Sequence, residues 1–459
     1  MGLLNTIGIG RRAIGAAAAG IDVTSQNVAN ANTVGYSRRR VLQETMDPIH
    51  RRGVFVGQGV DVVGITRASD RILGARLVSS AGAHAQSSAA EETLRTAETA
   101  FSETNATGIA EAFSRFYDAL SSVTADPSDL SRRTGAVDAA QAFTGVLSRT
   151  ARELDRQVEG IDTTLNDVAV SLNGTLREIA ALNKAIGRQG ASTGPGDLLD
   201  RRDQLVYSLG ESIGATVDLQ EDGSATVFIG NQAVVSGNEA RTVSIAEDAA
   251  GDAQVYVSAG TGAIRVTDGV SGNVGGRLEA RGRIVGWLND LNDFADAFGT
   301  TINAQHAAGF DANGTAGGAV FTWSATDPAA SFSVDAALAA DGQLLALAGA
   351  SPATVGDTTN LAALIDTEDA AVYGAGTTGA AEISRVVSEV GASVVTASSD
   401  AVSYGAQLDD LTAMRDSVSK VDSDEEAIRL VEYQAAYRAA SRVLQVGDEL
   451  LQTLMQLGA

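Results

Sequence analysis

The sequence predicts an elongated, mainly α-helical chain with an inserted antiparallel β domain. Apolar residues recur every seven positions near both termini, helical spacing continues through residues 147–186, and the pattern changes to a period of two after residue 213. Since 44% of the 459 residues are apolar, the chain can form packed cores. At roughly 100–200 residues per domain, its length suggests two to four domains.

The first predicted helix carries an apolar stripe, which consists of Ile7, Ile14, Ile21 and Val28. A stripe of this kind on a single helix usually packs on a core. The stretch SQNVANANTVGYSRRR follows, and it should end the helix near residues 27–32 because Asn tolerates the left-handed conformation found beyond helix ends. Gly35 permits a further reversal of the chain.

A β ribbon is predicted next, from SRRRVLQ and the returning VFVGQGVDVVGITR. It completes a first unit of residues 1–66. The body is predicted to begin at residue 67 with long helices up to residue 212, and to resume over 286–419. The forty residues 147–186 would span about 60 Å as one helix, which indicates an elongated body.

The middle of the chain, residues 213–285, is predicted to be an antiparallel β domain. Its runs of alternating apolar and polar residues are separated by Asp222-Gly223 and Gly230-Asn231, pairs that suit tight hairpin turns. Residues 310–380 are rich in Gly, Ala and Thr, and we interpret them as a small, loosely specified insertion in the body.

The last predicted helix, within residues 420–459, has its own seven-residue repeat, formed by Leu430, Tyr437, Leu444 and Leu451. We call these two apolar stripes the seams. Their presence at both ends of one chain suggests that the terminal helices pack together or against neighbouring copies. We therefore expect residues 1–66 and 420–459 to pair as a coiled-coil-like layer that forms a tube.

Charge and composition exclude several classes of protein. Residues 1–79 contain ten Arg, no Lys and five acidic residues, a net of +5, so the remainder carries −29 of the total of −24. An acidic body argues against nucleic-acid binding, and the basic start suits an acidic partner or an acidic part of the same assembly. The chain has no Cys, no apolar run long enough for a membrane span and no pattern of a cleaved secretory signal.

An enzyme is the main hypothesis from another class. In the block DLLDRRDQL, Asp197, Asp200 and Asp203 could act as paired carboxylates in glycoside hydrolysis. A structural interpretation is stronger, because Asp197 suits a helix N-cap and is spaced to pair with Arg201 on the helix surface. The three His residues are widely scattered, and DANGTAGGA lacks the later acidic ligands of a calcium loop. We therefore expect no catalytic residues, metal site or cofactor.

The N-terminal turn carries a specific motif, Asn-x-Ala-Asn-x-x-Thr-x-Gly-Tyr, which stands here as Asn27, Ala29, Asn30, Thr33, Gly35 and Tyr36. It resembles the signature of the bacterial flagellar rod, hook and hook-associated proteins. The closing VDSDEEAIRLVEYQAAYRAASRVLQVGDELLQTL resembles the last helix of that family. The interior blocks GDLLDRRDQLVYSLGE and INAQHAAGFDANGTAGGAVF resemble its hook-associated members.

This resemblance implies a structural role as an adaptor ring between the hook and the filament. It implies export through the flagellar channel without a cleaved signal, and an extracellular place in the flagellum. The implied partners are other copies of the chain, the hook protein, a second junction protein and through it flagellin, and an export chaperone at the C-terminal helix. No nucleic acid or membrane is expected as a partner. Another flagellar axial subunit, a surface adhesin and a cell-wall hydrolase remain as alternatives.

Overall fold

The structure is a computed structural model, and it describes residues 2–51, 54–101, 108–188, 196–220, 223–351, 356–373 and 376–457. The helices are α1 (Gly2–Ala29), α2 (Arg71–Glu98), α3 (Ile109–Val123), α4 (Leu130–Gly187), α5 (Gly196–Ile213), α6 (Gly272–Ala307), α7 (Pro328–Ser331), α8 (Ala336–Ala340), α9 (Thr359–Ile365), α10 (Gly379–Ser419) and α11 (Ser423–Leu457). The strands are β1 (Arg39–Thr45), β2 (Ile49–Arg51), β3 (Val54–Val56), β4 (Val60–Arg67), β5 (Thr216–Leu219), β6 (Ala225–Ile229), β7 (Gln232–Ser236), β8 (Glu239–Ala240), β9 (Val243–Glu247), β10 (Ala253–Ala259), β11 (Gly262–Arg265), β12 (Phe321–Thr322) and β13 (Ser333–Val334). This mainly helical fold with small antiparallel sheets confirms the predicted fold class.

The first and last helices pack against each other in opposite directions, and we call α1 and α11 the terminal pair. Glycines bring the two helices close together. A β-carbon at Gly10 would lie 3.1 Å from Leu444, one at Gly20 would lie 2.5 Å from the ring of Tyr433, and one at Gly447 would lie 2.8 Å from Ile7. The packing of the terminal helices was predicted from their apolar seams.

The predicted β ribbon follows α1. Strands β1 and β4 pair in antiparallel fashion from Arg39 opposite Arg67 to Thr45 opposite Val60, with a bulge after Leu42. The ribbon lies along α1, where Arg12 Nη1 donates a 2.7 Å hydrogen bond to the carbonyl oxygen of Gln58. The predicted returning strand is divided in the structure: Val54–Val56 (β3) pairs with Ile49–Arg51 (β2), and only Val60–Arg67 (β4) pairs with β1.

The longest element of the body is α4, with 58 residues. Its length is about 87 Å at 1.5 Å per residue. The helix starts earlier than the predicted residue 147, because Asp129 caps it by accepting a 2.8 Å hydrogen bond from the Ser131 amide. Helices α3, α5 and α6 pack against α4, while α2 packs against α5, α6 and α10.

Aromatic side chains fill one end of the body core. Helices α3, α4 and α6 contribute Phe113, Phe116, Tyr117, Phe143, Phe294 and Phe298. The region interpreted as a loosely specified insertion adds Phe321, Phe332 and Tyr373 to the same cluster. The described residues between 309 and 373 therefore pack onto the body through large apolar side chains.

Two antiparallel sheets form the β region, with strand orders β5-β6-β7-β8 and β9-β10-β11. Gly230-Asn231 is the predicted two-residue turn between β6 and β7, and Gly230 has a φ of +56°. The strands end at Arg265, and α6 begins at residue 272 rather than at the predicted 286. Glycines obscure the start of α6 in the sequence. They are needed there because a β-carbon at Gly276 would collide with the backbone of Gln86 on α2.

Candidate assembly site

The residues of the asparagine turn, Asn27–Ser37, are held by a hydrogen-bond network centred on Asn27. The Asn27 side chain is buried at the end of α1. Its Nδ2 donates to the Arg39 carbonyl oxygen at 2.9 Å and to Glu426 Oε2 at 3.0 Å. Its Oδ1 accepts from the Arg39 amide at 3.0 Å and from the Tyr36 hydroxyl at 2.9 Å. One side chain thus joins the end of α1, the start of β1 and the start of α11.

A buried ion pair completes the contact between the turn and α11. Arg38 Nε lies 2.7 Å from Glu426 Oε1, and the two side chains are only 8% and 1% exposed. Arg38 Nη2 also lies 2.6 Å from Glu425 Oε2. Since a buried charge is tolerated only with close partners, this geometry fixes the turn to the first turn of α11.

The other residues of the motif shape the turn itself. Asn30 Nδ2 donates to the Gln26 carbonyl oxygen at 2.9 Å, and Thr33 Oγ1 donates to Asn30 Oδ1 at 3.2 Å. Gly35 has a φ of +76°, and a β-carbon there would overlap the Gln204 side chain. Ala29 is exposed and is the last residue of α1.

A second set of charges joins the base of the ribbon to α5, and we call it the bridge. Its members are Arg39 and Arg67 on the ribbon, and Asp197, Asp200 and Asp203 on α5. Arg39 pairs with Asp197 and lies 3.4 Å from Asp200. Arg67 lies 2.7 Å from Asp200 and 2.9 Å from Asp203. The DLLDRRDQL block and the asparagine turn, more than 150 residues apart in the sequence, therefore meet at one place.

The carboxylates of the bridge raise the pKa of both of its arginines. Burial by itself lowers the pKa of Arg67, but Asp203 and Asp200 outweigh that effect and raise this pKa above its ordinary value. The same two effects act on Arg39. Burial lowers its pKa, but Asp197 and the neighbouring groups outweigh burial, so the pKa of Arg39 is raised above its ordinary value. Both guanidinium groups are therefore cations in the folded chain, as the bridge requires.

These contacts correct two predictions for Asp197, its pairing with Arg201 and its place at the helix N-cap. Asp197 does not pair with Arg201: it pairs with Arg39, and Arg201 pairs with Glu178 on α4 at 2.9 Å. Asp197 lies in the first turn of α5, which begins at residue 196, rather than at the N-cap. Sequence spacing favoured the short-range partner because it contains no signal for the distant Arg39.

The predicted seam residues lie at the edge of the terminal-pair contact. On α1 the buried positions are Gly10, Ala16, Ala17, Gly20, Val23, Thr24 and Asn27. Ile7, Ile14 and Ile21 are half-buried beside them, and Val28 is 43% exposed. On α11, Leu430, Leu444 and Leu451 are half-buried, and Tyr437 is 40% exposed. The small residues form the centre of the contact, Leu444 and Ile7 pack against Gly10 and Gly447, and the other large seam residues remain partly exposed.

A second set of apolar side chains on α11 is 50–80% exposed, and we call it the outer stripe. Its members are Ile428, Val431, Val446, Leu450 and Leu457. At 100° per residue they share the side of the helix that is turned away from α1. Large exposed apolar patches mark protein–protein contacts, so the outer stripe is a candidate contact surface. Separately, no helix among the described residues is long and apolar enough to cross a membrane.

A cleft of about 1610 Å³ lies beside the bridge. The asparagine turn and β4 form one wall, and α2, α5 and the end of α10 form the other. Arg39, Arg67, Asp197, Asp200 and Asp203 all line it. The carboxylates of the hydrolase hypothesis, Asp197, Asp200 and Asp203, therefore form ion pairs with Arg39 and Arg67 at the side of this cleft.

Three family models match the chain. The model for the flagella basal body rod protein matches residues 7–36, which include the asparagine turn. The helical domain of flagellar hook-associated protein FlgK matches residues 94–321, and the C-terminal region of the flagellar basal body rod FlgEFG proteins matches 416–457. The chain therefore belongs to the family of bacterial flagellar rod and hook proteins.

Within that family, its similarity is to flagellar hook-associated protein 1. The protein of that name from Escherichia coli is 27% identical over 66% of this chain, and the one from Salmonella typhimurium is equally similar. The matched part spans only 57% of the length of each of these two relatives. The Bacillus subtilis protein is 25% identical, and the match covers 96% of both chains.

A solved structure has the same fold. The flagellar hook junction protein FlgK from Burkholderia pseudomallei superposes with a TM-score of 0.66 at 16% sequence identity. The match covers 75% of this chain and all of that one.

Proposed function

We propose that this chain is a structural subunit of the bacterial flagellum, which forms the adaptor between the hook and the filament. The supporting observation is the terminal pair. It is held together by small residues and by the buried Asn27, Arg38 and Glu426, and it leaves the outer stripe uncovered. A chain that assembles into a tube wall needs such a face, because its neighbours must supply the remaining apolar contacts.

In this proposal the motif residues Asn27, Ala29, Asn30, Thr33, Gly35 and Tyr36 set the direction of the ribbon, and the seam residues of the terminal pair meet adjacent copies. The partners are other copies in a ring, the hook protein, a second junction protein that carries flagellin, and an export chaperone that covers α11 before assembly. The chain then functions outside the cell, within the flagellum.

A deletion strain tests this role. We expect hooks of normal length, no filaments, and flagellin released into the medium, with filaments restored when the intact gene is supplied. Normal filaments in the deletion strain would rule out the adaptor role. Loss of the hooks themselves would instead identify the chain as a hook subunit, which is the second candidate.

A structural rather than catalytic role is supported by the carboxylates of α5. Asp200 and Asp203 are held by Arg67 at 2.7 and 2.9 Å, which occupies the oxygens that a hydrolase would need free. We expect Asp200→Asn with Asp203→Asn to leave any cell-wall lysis by purified protein unchanged. A reproducible lytic activity that these substitutions abolish would support the hydrolase alternative.

A further inference from the structure

The chain passes between the terminal pair and the body at two points, and both lie at the backbone of Arg38. The Ala68 amide, just before α2, donates a 2.8 Å hydrogen bond to the Arg38 carbonyl oxygen. The Arg38 amide donates a 2.9 Å hydrogen bond to the carbonyl oxygen of Ser419, the last residue of α10. Two connections that meet at one point permit rotation about it, so any resistance to rotation must come from other contacts.

The bridge and the bond from Gln204 to the Val34 carbonyl oxygen provide that resistance on the side of α5. The two outer carboxylates of the bridge are far more accessible to solvent than Glu426, whereas Asp200, Arg39 and Arg67 at its centre are only 9%, 9% and 13% exposed. Asp197 is 79% exposed and Asp203 is 45% exposed, whereas Glu426 is 1% exposed. Because salt screens exposed charges far more than buried ones, the bridge is the weaker of the two attachments.

Arg39 remains with the turn if the bridge opens. Its backbone is bound at both its amide and its carbonyl group by Asn27, and its guanidinium lies 4.9 Å from the ring centre of Tyr36. Its Nε is buried and has no hydrogen-bond partner among the described residues. An unsatisfied buried donor is costly, so this position in the bridge leaves part of the hydrogen-bonding capacity of Arg39 unused.

We propose that the bridge is the releasable contact of a hinge. The terminal pair, the asparagine turn and the ribbon rotate as one unit about Arg38, and the cleft of about 1610 Å³ between the ribbon and α5 provides the space for this movement. The Arg38–Glu426 pair stays closed throughout. In this account the ion pairs of α5 set the angle between the terminal pair and the body.

Distances between pairs of spin labels test the hinge, and the absence of Cys from the chain allows labels to be placed without removing native thiols. Labels at Gln434→Cys on α11 and Asp167→Cys on α4 report the distance between the terminal pair and the body, across the hinge. Ser25→Cys with Gln434→Cys reports the distance within the terminal pair, and Asp167→Cys with Ser399→Cys reports the distance within the body. All four positions are exposed.

We expect neutralisation of the bridge by Asp197→Asn, Asp200→Asn and Asp203→Asn to shift or split the distance distribution across the hinge and to leave the two internal distributions unchanged. Glu178→Gln is the matched control, since it breaks the Arg201 pair, which joins α5 only to α4. It should change none of the three distributions.

Raising the salt concentration tests the same hinge in a chain whose bridge residues are intact. Going from about 0.1 M to about 1 M shortens the screening length from about 10 Å to about 3 Å, and should shift only the distribution across the hinge. If that distribution is unmoved both by salt and by the three substitutions, the hinge proposal is wrong. Broadening of all three distributions would also contradict it, because it would indicate unfolding instead of rotation.

Discussion

Asn27 has two donor hydrogens and two acceptor positions on its side-chain amide, and the fold uses all four. No other amino acid can donate to a backbone carbonyl and a carboxylate while it accepts from an amide and a phenol in this geometry. Because Asn27 satisfies the end of α1 and the start of α11 together, this residue explains why the motif starts with an asparagine.

Breaking the buried ion pair beneath Asn27 should be strongly destabilising. Glu426→Gln removes the buried counter-charge of Arg38 and leaves only Glu425, which is 55% exposed, so we expect a loss of at most about 3–5 kcal/mol in the free energy of unfolding of the terminal pair. Urea denaturation followed by the signal of a label on α11 would measure it.

The control for this substitution is Glu111→Gln, which removes an exposed pair with Arg115 on α3. Exposed pairs of this kind contribute about 0–1 kcal/mol. Equal effects of the two substitutions would mean that the Arg38–Glu426 pair does not fix the turn to α11.

Gly35→Val should distort the asparagine turn. The residue has a φ of +76°, which costs a β-branched residue about 1–3 kcal/mol, and the new side chain would also displace Gln204. Gly57→Val is the control in the same ribbon, because Gly57 has open space around it and is not among the positive-φ glycines. Swimming in soft agar should be lost only with Gly35→Val. Normal motility of that variant would show that the turn does not need this geometry.

At the scale of the helices, glycines of the terminal pair have two different roles. Gly10 and Gly20 lie against Leu444 and Tyr433, whereas a β-carbon at Gly8 or Gly15 would meet nothing within 4 Å. The sequence shows four glycines in one helix but cannot show which of them face a partner, since that depends on how the two helices are rotated.

Substitution by alanine separates the two roles. Gly15→Ala should stabilise α1 by about 0.8–1 kcal/mol through its higher helix propensity. Gly20→Ala gains the same propensity but forces the ring of Tyr433 away, so we expect a net loss of stability. Amide hydrogen exchange of α1 measures both effects. Slower exchange in Gly20→Ala than in the unmodified chain would show that the contact with Tyr433 can relax.

His306, at the end of α6, should make the packing of the following segment sensitive to acid. Burial lowers the pKa of His306. Its Nδ1 donates to the Gly318 carbonyl oxygen at 2.8 Å, and its Nε2 accepts from the Ala346 amide at 2.8 Å. The folded chain thus holds a neutral imidazole, while the unfolded chain takes up a proton near the ordinary pKa of about 6.5. Stability contributed by this group is therefore present above that pKa and is lost as the pH falls below it.

The slope should not exceed about 1.4 kcal/mol per pH unit for one proton. Thermal unfolding from neutral to mildly acidic pH would measure it, and His306→Gln should remove this component. A slope that is identical in the variant would assign the acid sensitivity to groups other than His306.

The sequence was informative where the signal is periodic or local. The terminal helices, the end of α1, the ribbon and the Gly230-Asn231 turn were all predicted, because each depends on spacing or on a single residue type. The bridge could not be predicted, since Arg39 and Asp200 are 161 positions apart and no pattern relates them. The early start of α4 was missed because its first turns have small and polar residues, and their burial depends on segments elsewhere in the chain, among them α3 and the segment after α6.

At the scale of the whole molecule, the outer stripe of α11 predicts self-assembly. Val446→Glu with Leu450→Glu places charges on exposed positions, so the stability of the isolated chain should change little, within about 0.5 kcal/mol for each substitution. Assembly into larger particles, measured by analytical ultracentrifugation, should be lost.

Val402→Glu on α10 is the matched control, since Val402 is also exposed but lies outside the terminal pair. Its assembly should match that of the unmodified chain. If the double variant assembles normally, the outer stripe is not the contact between copies.

The length of α4 has a mechanical consequence. Its 58 residues contain no proline, and it contacts α3, α5, α6 and strands of the β region along its course. α4 thus lacks the commonest cause of a sharp kink, and its neighbours support it along its course. A force applied at one end of the body is therefore transmitted to the other end along α4, as compression or torsion of this one helix. In the proposed position between hook and filament, a body of this stiffness would transmit torque with little bending.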